Sequence, residues 1–500
     1  MSSTWLVLPH QLFPVETHLK RAEFHDCTRI CIFEDPAFFG DRVGQPGAEM
    51  FTLNKLRIAY QRMLIENFQC ELVKAAKPFG FSVTWIQVDE LWSLPVSQRY
   101  TEIVNGRVFG FDPVDHLFSE RLKENGVSMT TDESPLFLLS RQEMEIFISQ
   151  SGFRDKAKCL LRMSPLLNFL KDKLNILQDQ KSLDTLNRHA FPDNAINPPQ
   201  PYISHSHITE LPGKTVEWLL ESSPFAKNPG PTGNARELAD MLTKLPLNHT
   251  DASEWFRKFL CERFQLFGPY EDAIVTGEPW LYHSGISMLL NFGLLDIRDV
   301  IQLTREHFAQ LTTVEKKKQL PSYEGFIRQL LGWRELCRLY YEYVPMETRR
   351  KNVFKLKDKM GPEYYHNWST SKLPPVVKDA IGDAWNFGYL HHIRRLMIMS
   401  NWMTLSSISP DQVFRWMTET TLDTWDWVMH LNVYAMGTWS DGGVSLRKPY
   451  ISSATYVKKM TNSKGKQTWE DEWTNKFRSF LEDHRDVIKH TELARSLKKQ

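Results

Sequence analysis

Short β-rich runs occur only in the first quarter of this chain, and that asymmetry constrains its fold more than any other feature. Trp5–Leu8, Arg29–Phe33, Ser82–Val88 and Arg107–Phe111 are brief stretches of branched and aromatic residues, and between them Met50–Ala76 and Val114–Asn125 carry helical spacing and charge. Alternation of this kind predicts a parallel sheet flanked by helices, because parallel strands need a crossover to join them. Ligands of such sheets lie beyond the carboxyl ends of the strands, which points to Pro9-His10-Gln11 and Glu34-Asp35-Pro36 as the edges of a pocket. From about Ala235 onward β-rich runs almost vanish and apolar residues recur at three and four. Phe326, Leu330, Trp333 and Cys337 make one such face, with Ile327 and Leu331 beside it. Ser409-Pro410-Asp411-Gln412 reads as a capping box with proline at the first helical position, opening a helix through Trp416.

Between these halves, from about Asp184 to Pro231, the composition shifts to Pro, Asn, Ser and His, including Pro198-Pro199-Gln200-Pro201 and Gly230-Pro231-Thr232-Gly233. Such a stretch reads as an irregular connector. The expected organisation is an α/β domain with a Rossmann-like parallel sheet over 1–135, a connector with helices and an irregular loop over 136–234, and a large all-α domain over 235–500. Gly213-Lys214-Thr215 resembles the end of a phosphate loop, but Ile208 stands where that motif needs glycine and no strand precedes it, so no nucleotide loop is expected there.

The 61 basic and 60 acidic side chains leave a net charge of +1, which excludes a globally basic nucleic-acid coat and leaves room for a local basic groove. No run approaches the ~18 apolar residues that cross a bilayer. Trp5-Leu6-Val7-Leu8 is stopped by Pro9 and His10, short of the ~7-residue core of a signal peptide. The chain is expected to be intracellular, not secreted and not membrane-bound. Six cysteines, Cys27, Cys31, Cys70, Cys159, Cys261 and Cys337, fit a reducing compartment with unpaired, mostly buried thiols. Cys27 and Cys31 lack a second pair, so two half-buried thiols are favoured over zinc.

Five groups of residues could carry chemistry. Eight of the sixteen tryptophans lie between Trp333 and Trp439. Most should be core, although aromatic rings in a low-dielectric interior also pass electrons or stack a flat ring system. His391-His392-Ile393-Arg394-Arg395 falls inside a helical run, where His391 and Arg395 share a face; a histidine is a natural proton donor and the arginines could hold an anion, against the plainer reading of a solvated helix segment. Asp423, Asp426, Asn432 and Ser440-Asp441-Gly442-Gly443 set polar groups among aromatics, where they must be hydrogen-bonded. Tyr282-His283-Ser284-Gly285-Ile286-Ser287 offers hydroxyls and a glycine at a helix start, a cap first and a pyrophosphate site second. Late basic clusters, Arg349-Arg350-Lys351, Lys355, Lys357, Lys359, Arg447-Lys448, Lys458-Lys459, Lys464 and Lys466, read as solvated faces or as a track for a DNA backbone.

At this point a resemblance enters. Tyr323-Glu324-Gly325-Phe326-Ile327-Arg328-Gln329-Leu330-Leu331-Gly332-Trp333-Arg334-Glu335 resembles the flavin domain of the bacterial (6-4) photolyases, the branch of the photolyase/cryptochrome superfamily that usually carries an iron–sulfur cluster. His391-His392-Ile393-Arg394-Arg395-Leu396-Met397 is similar to its active-site helix, and Asn432-Val433-Tyr434-Ala435-Met436 through Ser440-Asp441-Gly442-Gly443 and Lys448-Pro449-Tyr450 to its closing segment. The likeness is strongest over 322–456. It implies non-covalent FAD in the helical domain and light-driven electron transfer to a flipped-out pyrimidine photoproduct in UV-damaged DNA, the (6-4) product favoured, by a monomeric enzyme. By the same resemblance His392 donates a proton with His391 in support; Ser284, Ser287, Gln329, Arg334, Asp423 and Asn432 contact the flavin; Trp416 and Trp368 photoreduce it; and Arg394, Arg395, Lys448, Lys458 and Lys459 meet DNA.

Three departures qualify this. The family's N-terminal domain often holds a lumazine antenna, and Gln11 and Glu34 match antenna-side positions, yet the usual Gly-Asp before that glutamine is Pro9-His10 here. The cluster cysteines are missing: Val376 stands at the first, Asn462-Ser463-Lys464-Gly465-Lys466 replaces the loop of the others, and the last cysteine of the chain is Cys337. Without thiolates no [4Fe–4S] cluster is expected, and the C-terminal helix should pack through Trp469, Trp473 and Phe477 instead. Met429 stands where relatives can carry a glutamate near the flavin. The alternatives are a cryptochrome-like blue-light photoreceptor without repair activity, and a flavin-retaining protein whose catalysis has decayed.

Overall fold

The computed structural model describes residues 3–44, 50–104, 106–150, 163–177, 180–192, 197–203, 210–461 and 463–497. Cys159 and Asn462 lie outside them. Five strands, β1 (Ser3–Val7), β2 (Arg29–Phe33), β3 (Ser82–Ile86), β4 (Arg107–Phe111) and β5 (Met129–Asp132), form one sheet in the order β3-β2-β1-β4-β5. All pairs are parallel, with Trp5 of β1 opposite Ile30 of β2 and Phe109 of β4. The central β1 is buried throughout, as a strand covered on both faces must be. Helix α1 (Val15–Phe24) and helix α2 (Lys55–Ala76) accompany it. Neither α1 nor β5 is evident in the sequence: α1 is mostly polar and β5 is four residues, MTTD, at the sheet edge.

The carboxyl ends of β1 and β2 do not border an open pocket. His10, Gln11, Glu34 and Asp35 are all buried, because the helical half of the chain docks onto that edge. The His10 ring lies 5.0 Å from Trp425, Arg42 pairs with Asp426 at 3.1 Å, and Arg57 donates to the Thr418 carbonyl and the Thr424 hydroxyl, both at 2.8 Å. A void of about 20 Å³ beside Phe38, Arg57 and Trp425 is what remains there.

Helices dominate from Ala235 to Leu497. Among the described residues three π-helical stretches interrupt them, Gln329–Trp333, Arg394–Ser400 and Leu431–Gly437, and a fourth, Trp218–Ser222, precedes them. The extra residue of a π turn rotates everything beyond it, and such turns concentrate at functional sites. Here one lies within the apolar face read from the sequence. Phe326, Leu330 and Trp333 turn toward a cavity together with Gln329 and Arg334, whereas Ile327 and Leu331 stay in the core. The helix Pro410–Thr420 starts with proline at its first position as expected, but Ser409 makes no side-chain cap bond; Gln412 accepts from the Met360 N–H instead. Gly213-Lys214-Thr215 lies inside the helix Leu211–Glu217. The helix Glu470–Asp483 packs through Trp473 and Phe477, with the Trp473 ring 5.1 Å from Trp402 and 5.7 Å from Trp469. Of the described cysteines, Cys27, Cys31 and Cys337 are buried and Cys70 and Cys261 exposed, all unpaired.

Candidate active site: a cavity in the helical domain

A cavity of about 580 Å³ opens within the helical half, within the usual range for a small-molecule or cofactor site, ~300–1,000 Å³. Its floor and sides are apolar, from Phe267, Leu290, Phe326, Leu330, Trp333, Leu396, Met397 and Met436. Three of the segments that bring polar groups to it hold the expected residues. The first is the turn His283–Ser287, which needs glycine at 285: φ there is +67°, and a Cβ would stand 2.9 Å from the Trp280 ring. The second is the π turn that presents Gln329 and Arg334. The third is the start of the helix carrying His391 and His392.

These histidines do not sit inside a long helix. The helix Pro375–Phe387 ends at Gly388, in the left-handed region at φ +59°, and the chain restarts at His391, whose carbonyl accepts from the Arg394 and Arg395 N–H groups. The break is what brings both imidazoles to the cavity wall. His391 is buried, stacked on His283 with 4.2 Å between ring centroids, and its Nδ1 has no partner among the described residues. Burial, then the charges of His283 and Arg394, hold its proton affinity well below the usual imidazole range. His392 exposes its ring to the cavity, yet dense protein surrounds it, and that enclosure with the charges of Arg395 and Arg188 pushes it down to about 4. Both are neutral near pH 7.

Arg334 lines the cavity between the rings of Phe137 and Trp427, 5.4 and 5.0 Å away, and donates to Asn291 Oδ1 at 2.5 Å. Burial lowers it to about 10. Behind the wall, Asp423 accepts from Ser287 Oγ at 2.7 Å and from Arg395 Nη2 at 2.8 Å. Burial alone would raise this carboxyl; Arg395 and Ser287 outweigh it and keep the group ionised, with its affinity below the ordinary range.

The structure therefore gathers Ser284, Ser287, Gln329, Arg334, His391 and His392 on one cavity, with Lys448 and Lys459 also on its lining. Other expected residues are placed elsewhere. Asp423 acts on the wall from behind. Asn432 does not line the cavity; it donates to the Val428 carbonyl at 2.7 Å. Met429 is buried and also off the lining. Trp416 is buried, and its indole N–H shares the Tyr364 carbonyl with that of Trp385, at 2.9 and 2.8 Å; Trp368 is half-buried against Gly382. Arg394 and Arg395, expected to meet DNA, are engaged by the protein itself. Arg394 is enclosed between Asp379 and Asp383, and Arg395 is spent on Asp423 and the Leu390 carbonyl. Lys458 pairs with Glu470 at 2.9 Å. Gln11 and Glu34 are inward-facing pins: Gln11 Nε2 donates to the Phe111 and Asp112 carbonyls, and Glu34 Oε2 accepts from Arg62 at 3.0 Å and the Val88 N–H at 2.8 Å.

Sequence reasoning missed Arg188, Glu271, Asp272 and Tyr456 at the mouth. Arg188 lies 3.2 Å from Glu271, and Tyr456 donates to Asp272 at 2.8 Å. Burial pushes Glu271 up to about 7. Adjacent carboxylates in the apolar stretch around Glu271 were the available signal; Arg188 sits in the connector, where no periodicity marks it.

No family model matches the chain. Over 283 residues it is 31% identical to a (6-4) photolyase of Agrobacterium fabrum, a match that covers 56% of this chain and 51%, about half, of that protein. Its fold superposes on a bacterial class III photolyase from Agrobacterium tumefaciens with a TM-score of 0.53 at 14% identity, covering 96% of this chain and 87% of that one. In fold, and in sequence over about half of its length, the chain is similar to members of the photolyase/cryptochrome superfamily. A Synechocystis cryptochrome superposes with a TM-score of 0.51 at 12% identity, covering 98% and 91% of the two chains, so the photolyase and cryptochrome members share this fold. The superfamily generally binds FAD. The cavity fits that group: Phe326, Leu330, Trp333 and Met397 offer apolar faces for a flat ring, Gln329 and Arg334 a polar edge, and His391 Nδ1 a buried nitrogen with no protein partner. Among the described residues no group of three His, Cys, Asp or Glu could hold a metal ion, and no helix is long and apolar enough to cross a membrane.

Proposed function

We propose that this chain is a light-driven DNA-repair lyase that binds FAD in the helical cavity and acts on an ultraviolet pyrimidine photoproduct, the (6-4) product favoured. The observation that carries the reading is the placement of His391 and His392 on the wall of an otherwise apolar, flavin-sized cavity whose lining includes Lys448, Lys459 and Arg188. FAD, bound and reduced, supplies the electron that light sends to the lesion. The remaining work falls to the chain. Ser284, Ser287, Gln329 and Arg334 hold and orient the cofactor, with Asp423 fixing Ser287 from behind; the apolar walls exclude water. Trp416 and Trp368 return electrons to the cofactor from the surface.

His392 is the proton donor of this reading, with His391 in support. A neutral imidazole is a poor acid, so the role depends on DNA: a phosphate beside His392 raises its proton affinity, by the same electrostatics through which Arg395 and Arg188 depress it. Repair should accordingly decline as pH rises through the value His392 takes in the complex. Lys448, with its Glu492 partner 3.9 Å away and largely exposed, and Lys459 are the cations at hand for the DNA backbone.

The test is repair of oligonucleotides that carry one defined lesion, under blue light and in the dark, with the protein fully reduced. Light-dependent loss of the (6-4) product is the expected result. A protein that holds and photoreduces flavin yet repairs neither the (6-4) product nor the cyclobutane dimer overturns the reading in favour of a photoreceptor. No antenna and no iron–sulfur cluster take part in this proposal.

A further inference from the structure

Most buried arginines here face a carboxylate. Arg42 meets Asp115 and Asp426, and Arg394 meets Asp379 and Asp383. Arg263 does not. It is fully buried, at the end of the helix His249–Glu262, and makes no ion pair among the described residues; the carboxylate charge acting on it is that of Glu262, its exposed neighbour in sequence. Its Nε and Nη2 have no hydrogen-bond partner among the described residues, and its guanidinium lies 5.6 Å from the Phe259 ring. The bond it does make is specific: Nη1 donates at 2.6 Å to the carbonyl of His283, the residue that opens the His283–Ser287 segment of the cavity wall. A buried cation without a counter-charge is costly, and it persists where something completes the site.

Resting on the flavin reading above, we infer that Arg263 is a positioning residue that makes the Ser284–Ser287 wall selective for the diphosphate-bearing form of the flavin. Two physical effects act together. A planar trans peptide directs its N–H opposite to its C=O, so a guanidinium holding the His283 carbonyl fixes the Ser284 N–H on the far side of that plane; this N–H makes no hydrogen bond among the described residues. The unbalanced charge also sets the potential of the wall. Its influence reaches two residues that line the cavity: behind the larger effect of burial, which lowers His283 and raises Tyr389, the Arg263 charge further disfavours a proton on His283 and opposes the rise at Tyr389. An anionic diphosphate beside that wall supplies the counter-charge that the protein lacks. An uncharged flavin does not.

The experiment compares FAD with riboflavin, which has no phosphate, by titrating full-length protein freed of flavin, with thermal melting recorded in parallel. R263M should lose ~10-fold or more in FAD affinity, while riboflavin affinity stays within ~3-fold, since only the former ligand gains from the charge. R263K keeps a cation at the site and should keep most of the FAD preference. Equal weakening of both ligands in R263M, an unchanged FAD affinity, or an R263K as defective as R263M overturns the inference and leaves Arg263 a packing residue. If R263M does not fold, R263K alone decides, because loss of its FAD preference is equally contradictory. If the wild-type protein binds neither flavin, the flavin reading fails instead. Inorganic pyrophosphate then probes the wall directly: it should raise the melting temperature of wild type and not of R263M, and absence of protection in wild type overturns the anion-selective wall itself.

Discussion

The sheet edge and the helical cavity carry similar residue types and have opposite fates. At the carboxyl ends of β1 and β2, His10, Gln11, Glu34 and Asp35 are buried, each with one side-chain polar atom bonded to the protein itself and the other without a hydrogen-bond partner among the described residues, and the helical half is pressed against them. In the cavity, His391, Gln329, Arg334 and the Ser284–Ser287 turn surround about 580 Å³ of space. Polar residues at the ends of strands therefore become a binding site only if no other element docks there, and here Trp425, Asp426 and Arg57 occupy the place of a ligand. The docking of the two halves, more than the donor types, decides which crevice remains for a cofactor.

Substitutions on the two sides should break in different ways. The largest effect is expected at the cavity: His392→Ala should lower repair by ~10²-fold or more, the scale of a lost general acid, while flavin content and photoreduction persist. Measured repair in that variant at the wild-type rate would remove His392 from the proton path. At the sheet edge, Glu34→Ala strips partners from the Arg62 guanidinium and the Val88 N–H and should cost about 3 kcal/mol of stability by denaturant unfolding, with repair per folded molecule unchanged. Glu34→Gln should cost less, because burial already pushes this carboxyl up to about 7 and the amide resembles its protonated form.

The smallest effect is a pH difference. His18 is fully buried, accepts from Trp5 Nε1 at 3.0 Å, and is pushed down to about 3, first of all by burial. The unfolded chain takes up a proton on this residue below pH 6.5 and the folded one does not, so its contribution is fully present above pH 6.5 and is lost as pH falls toward its folded value. Between pH 6.5 and 5 that loss is about 2 kcal/mol. Unfolding curves at these two pH values should therefore differ less in His18→Asn than in wild type by that amount.

Much of the fold is visible in the residues. Arg29–Phe33 and Arg107–Phe111 are strands with the bounds that their β-branched and aromatic content suggests, and the change to helical spacing after Ala235 marks the second half. β5 escapes because an edge strand of four mostly polar residues carries no alternation. At the cavity, helical spacing already sets Leu330 and Trp333 on one face with Phe326, and Gln329 and Arg334 adjoin that face; the π turn over Gln329–Trp333, which no spacing announces, lies in the same wall. The arginines after the histidines misled for a different reason. Asp379 and Asp383, which enclose Arg394, lie on the preceding helix, and only the turn at Gly388 folds the two helices against each other. Arg263 carries no sequence signal, since a lone arginine at a helix end is ordinarily solvated.

The central claim is that the helical cavity, and not the sheet edge, holds the cofactor. It is tested most directly by the flavin content of purified wild type, Leu330→Trp and Glu34→Gln, each checked for native melting. Leu330 lines the cavity, and an indole there fills the space without touching the sheet. The account predicts stoichiometric flavin in wild type and Glu34→Gln and a folded, flavin-free Leu330→Trp. Full flavin occupancy in Leu330→Trp, or its loss from Glu34→Gln instead, would contradict it.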